Sequence, residues 1–366
     1  MTDITCLNKK TDMSKLFRNN IAAMRGYIPG EQPQDSGYIK LNTNENPYPP
    51  PPAVLTRLRD ACNGDLRLYP DPDAHVLRAK LGEVFSVDSQ QIIVGNGSDE
   101  LLNIIIRSFA GEGDKIVYPN PTYGYYKPLI DIQGATAVPV EFPADYSLPN
   151  DLAVPGARIT FLANPNGPSG TLLPYSHVAA LCARIDGVLV VDEAYVDFSQ
   201  GGCIRLIDEH RNAIVVRTMS KSFSLAGMRI GFAFAPAELI TGMWKVKDHY
   251  NLNRLSLVAA EAALENIDAM RAHAAQVCET RQHLSGRLLE LGFYVWDSRA
   301  NFLLARIGES LAGHDAATLY TQLKERRILV RYFQNPPRLA DCLRISIGTD
   351  AETDALLAAL EELLAA

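Results

Sequence analysis

Lys221 is the residue of this chain whose surroundings most clearly suggest chemistry. It follows an apolar run at 213–216 that predicts a buried strand, so we expect the lysine at a strand end. Arg229 lies in the same stretch, close enough to share an anionic ligand. A lysine held near another cation and partly out of water is a good imine-forming nucleophile. An isolated lysine is more often a solvated surface residue, so this interpretation depends on residues elsewhere in the chain.

Asp192 and Tyr195 follow a second apolar run, at 188–191. An acid at the carboxyl end of a buried parallel strand lies where open α/β sheets bind ligands. A carboxylate there is costly unless it has a partner such as a protonated ring nitrogen. Tyr195 could donate to an oxygen of the same ring. The alternative is that Asp192 only caps the next turn.

Two further motifs could complete a binding site. Residues 95–100 (GNGSDE) follow a predicted strand and open a helix, where backbone amides and the helix dipole bind phosphate. Ser98 could add a hydroxyl, although Ser98 or Asp99 could equally be an ordinary N-cap. Tyr123 also follows a strand and could stack on a planar ligand, although a core or interface tyrosine is the commoner case. The turn-rich loop 164–170 (NPNGPSG) could hydrogen-bond a ligand oxygen, although turn chemistry alone explains its composition.

These motifs are more informative together than singly. A phosphate-binding helix start, a stackable tyrosine, a strand-end aspartate, a tyrosine and a lysine occur in that order along the chain. Pyridoxal 5′-phosphate needs a lysine imine and an acid at its ring nitrogen. The set therefore predicts a pocket for this cofactor.

Composition limits the other possibilities. The chain has 366 residues, 47% of them apolar and 21% charged, as in soluble globular proteins with a large core. Its net charge of −7 argues against nucleic acid or an anionic membrane as partner, and no apolar run is long enough to span a bilayer. Residues 1–20 lack the apolar centre of a secretory signal. The six cysteines show no zinc or redox spacing, so we expect no metal, reduced thiols and a cytoplasmic protein.

The predicted elements place these residues on an α/β framework. Apolar runs alternate with helical stretches such as 100–110 and 175–185, a pattern typical of a largely parallel sheet covered by helices on both faces. Beyond residue 236 a smaller α+β domain is expected, with a long helix at 255–291. We predict an N-terminal arm at 1–45, a large domain at 46–250 and a small domain at 251–366. The predicted strands are 92–94, 115–118, 137–141, 159–163, 188–191, 213–216, 230–235, 294–296, 302–305, 328–331 and 343–347; the other predicted helices are 53–62, 316–326 and one from 353.

At this point the chain resembles the fold-type I pyridoxal-phosphate aminotransferases, and within them the histidinol-phosphate aminotransferase group. The resemblance runs from about Tyr27 to the last helix and implies an α/β fold with a mainly parallel sheet sandwiched by helices. It is carried by residues 41–47 (LNTNENP), 69–72 (YPDP), 97–100, 121–123, 192–195 (DEAY), 220–221 with Arg229, 300–302, 329–331 and 344–348 (RISIG).

The resemblance also implies roles for individual residues. Lys221 would form the imine and move a proton, Asp192 would keep the ring nitrogen protonated, and Tyr195 would donate to the ring's phenolate oxygen. Tyr69 would reach the cofactor of a neighbouring subunit, which implies a homodimer. The remaining cofactor-binding residues would be Ser98, Asp99, Glu100, Tyr123, Asn166, Ser220 and Arg229.

One position departs from the family. Its loop usually reads Asn-Pro-(Ser/Thr)-Gly, and Gly167 stands where that asparagine is expected. Asn166 or Asn164 would have to replace it, and the sequence leaves that choice open.

Substrate choice rests on Arg331 and Arg344. Strand alternation places Arg344 and Ser346 on one face, where an arginine can fork a carboxylate or a phosphate, although a surface salt bridge is the commoner role. By resemblance, both arginines would clamp the substrate phosphate and Arg344 the α-carboxylate of glutamate, with Tyr27 and Asn301 lining the pocket. The expected reaction is transamination between L-histidinol phosphate and 2-oxoglutarate.

Other functions remain open from the sequence. An aromatic amino acid aminotransferase and a decarboxylase of a phosphorylated amino acid such as threonine phosphate use similar cationic pockets. A ligand-binding regulator without turnover is a third possibility, since fold alone never establishes function. The complete set of Lys221, Asp192 and Tyr195, and the lack of an added basic DNA-binding domain, argue against it.

Overall fold

The computed structural model describes residues 16–33, 35 and 37–365. Its strands are β1 (Ile39–Lys40), β2 (Ile92–Asn96), β3 (Lys115–Asn120), β4 (Thr136–Glu141), β5 (Ala157–Ala163), β6 (Val188–Asp192), β7 (Ala213–Thr218), β8 (Ile230–Phe234), β9 (Tyr294–Val295), β10 (Phe302–Arg306), β11 (Ile328–Leu329), β12 (Arg331–Tyr332) and β13 (Cys342–Ser346). Its α-helices are α1 (Asn19–Ala23), α2 (Pro52–Ala61), α3 (His75–Phe85), α4 (Ser98–Phe109), α5 (Tyr126–Gln133), α6 (Tyr175–Cys182), α7 (Leu206–Glu209), α8 (Ala237–Trp244), α9 (Arg254–Glu265), α10 (Ile267–Glu290), α11 (Ala316–Glu325) and α12 (Asp350–Leu364).

The predicted parallel sheet is present. Seven strands lie in the order β2-β8-β7-β6-β5-β3-β4, and β8 runs antiparallel to both of its neighbours while the other pairings are parallel. Every residue of β6, β7 and β8 is buried, as expected for apolar strands covered on both faces. The carboxyl ends of β3, β5, β6 and β7 therefore meet at one edge of the sheet, which is where ligands bind in folds of this kind.

A second, smaller region follows the large sheet. Its four-stranded antiparallel sheet has the order β12-β13-β10-β9, and α10 packs against β10 and α12. The last helix begins with a capping box between Thr349 and Glu352. A two-stranded parallel sheet joins β1, in the N-terminal part of the chain, to β11.

Two predicted elements were wrong in their extent. The single helix at 255–291 is divided into α9 and α10, because Asn266 has non-helical backbone angles and its side chain donates to Ala262 O at 2.8 Å. The single strand at 328–331 is divided at Val330, since β11 pairs with β1 whereas β12 pairs with β13. This division sends Arg331 to a different sheet from Leu329.

The domain boundaries at 45 and 250 stay a prediction. The packing of α9 against α2 and α3, beside the large sheet, favours a later second boundary, at the start of α10. The cysteines at 62, 182, 203, 278 and 342 are free thiols, and Cys6 lies outside the described residues. Among the helices of the described ranges, none has the length and apolarity that crossing a bilayer requires.

Candidate active site

A cavity of about 470 Å³ lies at the edge of the seven-stranded sheet, facing the four-stranded sheet, which we call the small sheet. It is bounded by the carboxyl ends of β6 and β7, the start of α4, the segment near Tyr27 and the strands β12 and β13. The sequence-predicted residues that line it are Tyr27, Ser98, Asp99, Tyr123, Asp192, Tyr195, Ser220, Lys221, Arg229, Arg331 and Arg344.

Lys221 projects into this cavity from the loop after β7. Its Nζ donates to Thr43 O at 3.2 Å and lies 5.8 Å from the ring centre of Tyr195. Burial and the nearby Arg344 guanidinium lower the pKa of Lys221 to about 8. Because of this shift, more of the amine is neutral near physiological pH than in an exposed lysine, as a nucleophile or base requires.

Asp192 is the last residue of β6 and is only 5% exposed. Tyr126 Oη donates to its Oδ2 at 2.9 Å, and the backbone N–H of Ala194 donates to its Oδ1 at 3.2 Å. Burial raises the pKa of Asp192 to about 6, against the opposing effect of these hydrogen bonds. A cationic group placed beside this carboxylate would restore its charge and remove the cost of burying it.

The anion-binding end of the cavity is formed by the start of α4 and by Arg229. Gly97 precedes the helix at φ +80°, and a Cβ there would lie 2.5 Å from the Arg229 guanidinium. Arg229 Nη1 also lies 3.4 Å from Ser220 Oγ, and its Nη2 pairs with Asp99 Oδ2 at 3.2 Å. Free helix N–H groups, a hydroxyl and a guanidinium thus converge in a space that only glycine leaves open, and this arrangement fits a phosphate group.

Tyr123 is tied to the same end. Its Oη donates to Asp99 Oδ1 at 2.9 Å, and burial together with Asp99 raises the pKa of the phenol, which therefore stays protonated. Its ring lies edge-on to that of Tyr126, with the centres 5.5 Å apart. Tyr123 therefore stands as a fixed aromatic wall of the cavity.

The opposite wall carries two arginines in register on β12 and β13. Arg344 Nη2 donates to Asn42 O at 2.9 Å, but its Nε is buried with no partner among the described residues. The Arg344 guanidinium lies over two rings, 5.3 Å from the centre of Phe302 and 5.5 Å from that of Phe333. Arg331 lies over Phe333 at the same distance, and its nitrogens lie 3.4 Å from Pro29 O and 3.5 Å from Ile28 O. A half-buried guanidinium that has no acidic partner within the described part of the chain favours an anionic ligand.

Four predicted residues lie outside the cavity wall. Glu100 accepts from Asn96 N at 2.5 Å and from Asn251 Nδ2 at 2.8 Å, below the start of α4. Tyr69 is 78% exposed and stacks on Tyr250, with ring centres 4.4 Å apart.

The other two are asparagines with internal contacts. Asn301 is fully buried and donates to Asn44 O at 3.0 Å. Asn166 donates to Pro121 O and Ser169 Oγ, and its Oδ1 accepts from Thr122. The structure therefore places no free amide of Asn166 toward the cavity. Asn164, the other candidate, has both side-chain atoms bonded to the backbone of Leu173.

The sequence reasoning missed the segment 42–46, which we call the strap. Its backbone oxygens at Asn42 and Thr43 accept from Arg344 and Lys221, and Asn46 Nδ2 donates to Lys221 O and Ser222 O. Asn44 Nδ2 donates to Tyr195 Oη at 3.0 Å. The sequence signal that could have found the strap is its three asparagines within five residues (NTNEN). This segment contributes to the family resemblance, but the resemblance implies no role for its side chains.

The groups that line the cavity fit pyridoxal 5′-phosphate. A lysine amine, a strand-end carboxylate and a phenol open into the same cavity as the anion-binding end at the start of α4. A Cβ at Gly97 would fill the space at that end. Across the described ranges, no group of three or more His, Cys, Asp or Glu side chains could hold a metal ion.

Comparisons with known proteins agree with this geometry. Residues 36–360 match the family described as aminotransferase class I and II. The histidinol-phosphate aminotransferase of Geobacter sulfurreducens is 45% identical over 357 residues, covering 95% of this chain and 99% of its own length. Histidinol-phosphate aminotransferase 1 of a Nostoc species is 43% identical over 354 residues, covering 96% and 99%.

Solved structures give the same result for the fold. The histidinol-phosphate aminotransferase of Sinorhizobium meliloti, in complex with pyridoxal-5′-phosphate, superposes with a TM-score of 0.85 at 26% identity and covers 99% of each chain. The predicted fold-type I α/β architecture is confirmed. The chain therefore belongs to the class I and II aminotransferases and, within them, to the histidinol-phosphate aminotransferase family.

Proposed function

We propose that this protein uses pyridoxal 5′-phosphate to transfer an amino group between L-histidinol phosphate and 2-oxoglutarate. The observation that carries the proposal is that Lys221, Asp192 and Arg229 open into the same cavity as Arg344, whose buried Nε has no hydrogen-bond partner among the described residues. When bound, the cofactor supplies an electron sink that stabilises negative charge at the substrate carbon. The rest of the reaction depends on what the protein's own side chains do.

Lys221 would provide the amine that holds the cofactor and would later move a proton at the substrate Cα. Its lowered pKa suits both tasks, because the neutral amine is the reactive form and an ideal acid–base group titrates near the working pH. The hydrogen bond to Thr43 O keeps Nζ inside the cavity.

Asp192 and Tyr195 set the charge of the ring. Asp192 would accept the ring N–H, and this partner explains why an acid is kept in a buried position. Tyr195 would donate to the ring's phenolate oxygen, and Tyr123 would be an aromatic contact for the ring. The phosphate would be held by the amides at Ser98 and Asp99 together with Ser220 and Arg229.

The substrates would meet Arg344 and Arg331. Histidinol phosphate carries a phosphate and no α-carboxylate, whereas glutamate carries two carboxylates. One cationic wall can therefore bind both substrates in turn, as a ping-pong exchange at a single site requires. Tyr27 lines the same wall, and Asn301 supports it from behind through Asn44.

A donor screen tests the proposed function. The purified protein is loaded with pyridoxal 5′-phosphate, and the loss of its visible absorption is followed with histidinol phosphate, aromatic amino acids, threonine phosphate and glutamate. We expect histidinol phosphate and glutamate to bleach the band fastest, and 2-oxoglutarate to restore it. Carbon dioxide release without any need for 2-oxoglutarate would reject the transaminase in favour of a decarboxylase. Cofactor binding without bleaching by any donor would favour a non-enzymatic regulator.

A homodimer with shared sites is part of the proposal, as is a cytoplasmic location. The exposed Tyr69–Tyr250 stack supports a partner-facing role, since two neighbouring aromatic rings are rarely left in solvent. Mixing Lys221→Ala with Tyr69→Ala protein after partial unfolding tests the sharing of sites. A mixed dimer would carry one doubly defective and one intact site, so we expect activity to reappear. Two inactive parents that stay inactive after subunit exchange would contradict it.

A further inference from the structure

Gly167 stands where the resemblance to the family implies an asparagine, and neither neighbouring asparagine takes that place. The amides of Asn164 and Asn166 are bonded within their own loop and to the neighbouring Thr122 and Pro121. A Cβ at Gly167 would touch the Tyr195 ring at 3.7 Å, so this position is next to the tyrosine but carries no side chain. The amide beside Tyr195 comes instead from the strap.

Asn44 is buried and held by hydrogen bonds from both its backbone and its side chain. It is 2% exposed, and its φ of +56° lies in the left-handed region that asparagine tolerates better than most residues. Its backbone N–H donates to Ser346 Oγ at 2.9 Å, and its Oδ1 accepts from that hydroxyl at 3.0 Å. Asn301 fixes its carbonyl oxygen. These contacts direct Nδ2 toward Tyr195 Oη.

The direction of this hydrogen bond has a chemical consequence. Because Asn44 donates, the Tyr195 oxygen accepts, and the phenol's own proton is left to point elsewhere. A hydroxyl that accepts a hydrogen bond becomes a better donor through polarisation. Burial raises the pKa of Tyr195, and both Arg344 and the bond from Asn44 oppose that rise.

We propose that Asn44 is a positioning residue that aims the Tyr195 hydroxyl at the cofactor's phenolate oxygen and replaces the amide missing at Gly167. This inference rests on the proposed function, because it needs the cofactor in the cavity. A donor at the phenolate oxygen stabilises its negative charge and so disfavours protonation of the neighbouring imine nitrogen. Loss of Asn44 should therefore raise the pH at which the visible band of the cofactor-loaded protein titrates.

The experiment measures the visible absorption band of the cofactor-loaded protein as a function of pH and compares the midpoint between wild type and variants. Asn44→Gly removes the amide and keeps the left-handed backbone, because glycine adopts positive φ freely. We expect its midpoint to rise by about half a pH unit or more, on the scale of a single hydrogen bond. Asn42→Ala is the matched control: it removes a strap amide that donates to Glu31 O and does not contact Tyr195. Its midpoint should stay at the wild-type value.

Repeating the Asn44→Gly substitution in a Tyr195→Phe protein shows whether Asn44 acts through the Tyr195 hydroxyl or only supports the structure in general. In Tyr195→Phe protein the hydroxyl is absent, so Asn44→Gly should cause no further shift if it acts through that group. The charged groups that face Lys221 are Arg344, Glu45, Asp99 and Arg229, and no variant changes any of them. An unchanged midpoint in Asn44→Gly, or an equal shift in both backgrounds, would overturn the inference.

Ser346→Ala keeps the test decisive if Asn44→Gly does not fold. It deletes the hydroxyl that orients the Asn44 amide, and we expect a smaller shift in the same direction. No shift in this variant would then count against the inference. Failure of the wild-type protein to develop a visible band with pyridoxal 5′-phosphate would instead overturn the proposed function. If the wild-type protein shows the band and amino donors bleach it normally, but the Asn44→Gly midpoint is unchanged, only the role of Asn44 is overturned.

Discussion

The two sides of the cavity are built differently. The sheet side carries Asp192, Lys221 and Arg229 on neighbouring strand ends and loops, and each of these groups has a hydrogen-bond or ion-pair partner. The arginine side is assembled from the strap, the segment near Tyr27 and the small sheet, and it leaves Arg344 Nε without a partner among the described residues. A partnered, rigid surface suits a group that stays bound, whereas unpaired cations suit anions that enter and leave.

The largest expected effect is on the sheet side, at Lys221. Lys221→Ala removes the amine that holds the cofactor and moves the proton, so turnover should fall by roughly 10⁴-fold, the upper range for such a group. The visible band should disappear with it. Borohydride reduction followed by peptide mass mapping measures the same attachment directly. Normal turnover in this variant, or a label on another lysine, would remove Lys221 from the mechanism.

A substitution on the arginine side should have a smaller effect, and that effect should be on substrate affinity. Arg344→Ala deletes a charge-assisted contact worth about 3 kcal/mol, or roughly 100-fold in affinity. We expect KM to rise for glutamate and for histidinol phosphate. The midpoint of the visible band should rise as well, because the Arg344 charge lowers the pKa at Lys221. Steady-state kinetics with each substrate measures this, and Arg344→Lys, which keeps the charge without the fork, should recover part of the loss. If only one substrate is affected, the two do not share this wall.

The smallest expected effect is on the free energy of unfolding of the cofactor-free protein, and it comes from Asp192. Its folded pKa is raised to about 6, so the folded protein binds the extra proton between the ordinary carboxyl pKa and pH 6. The stability that this proton provides is complete at low pH and is lost as pH rises through 6. Cofactor-free Asp192→Asn should therefore be more stable than wild type by about 2 kcal/mol at pH 8, and show no gain near pH 4.

Urea unfolding at the two pH values measures this difference. The same variant should bind pyridoxal 5′-phosphate more weakly, because the amide cannot pair with a ring cation. Equal stability of both proteins at pH 8 would show that the buried carboxylate carries no cost.

The same contrast explains what could be predicted from the sequence. The sheet-side residues follow apolar runs, so strand ends placed Asp192 and Lys221 together without a structure. The arginine side depends on contacts between distant segments, such as Asn44 with Tyr195 and Ser346, and no local pattern encodes them. The left-handed backbone of Asn44 and the internal use of Asn166 likewise follow from tertiary packing. Arg331 was assigned to one strand with Leu329 because apolar runs do not show where a chain changes sheets.

The strap also limits how this protein can change. Four of its five residues are hydrogen-bonded to the loop after β7 or to β13, and β1 just before them is fixed by its pairing with β11. Inserting or deleting one residue there would shift every one of these contacts at once. We therefore expect length variation among relatives to accumulate before residue 39, and the spacing between β1 and Pro47 to resist it.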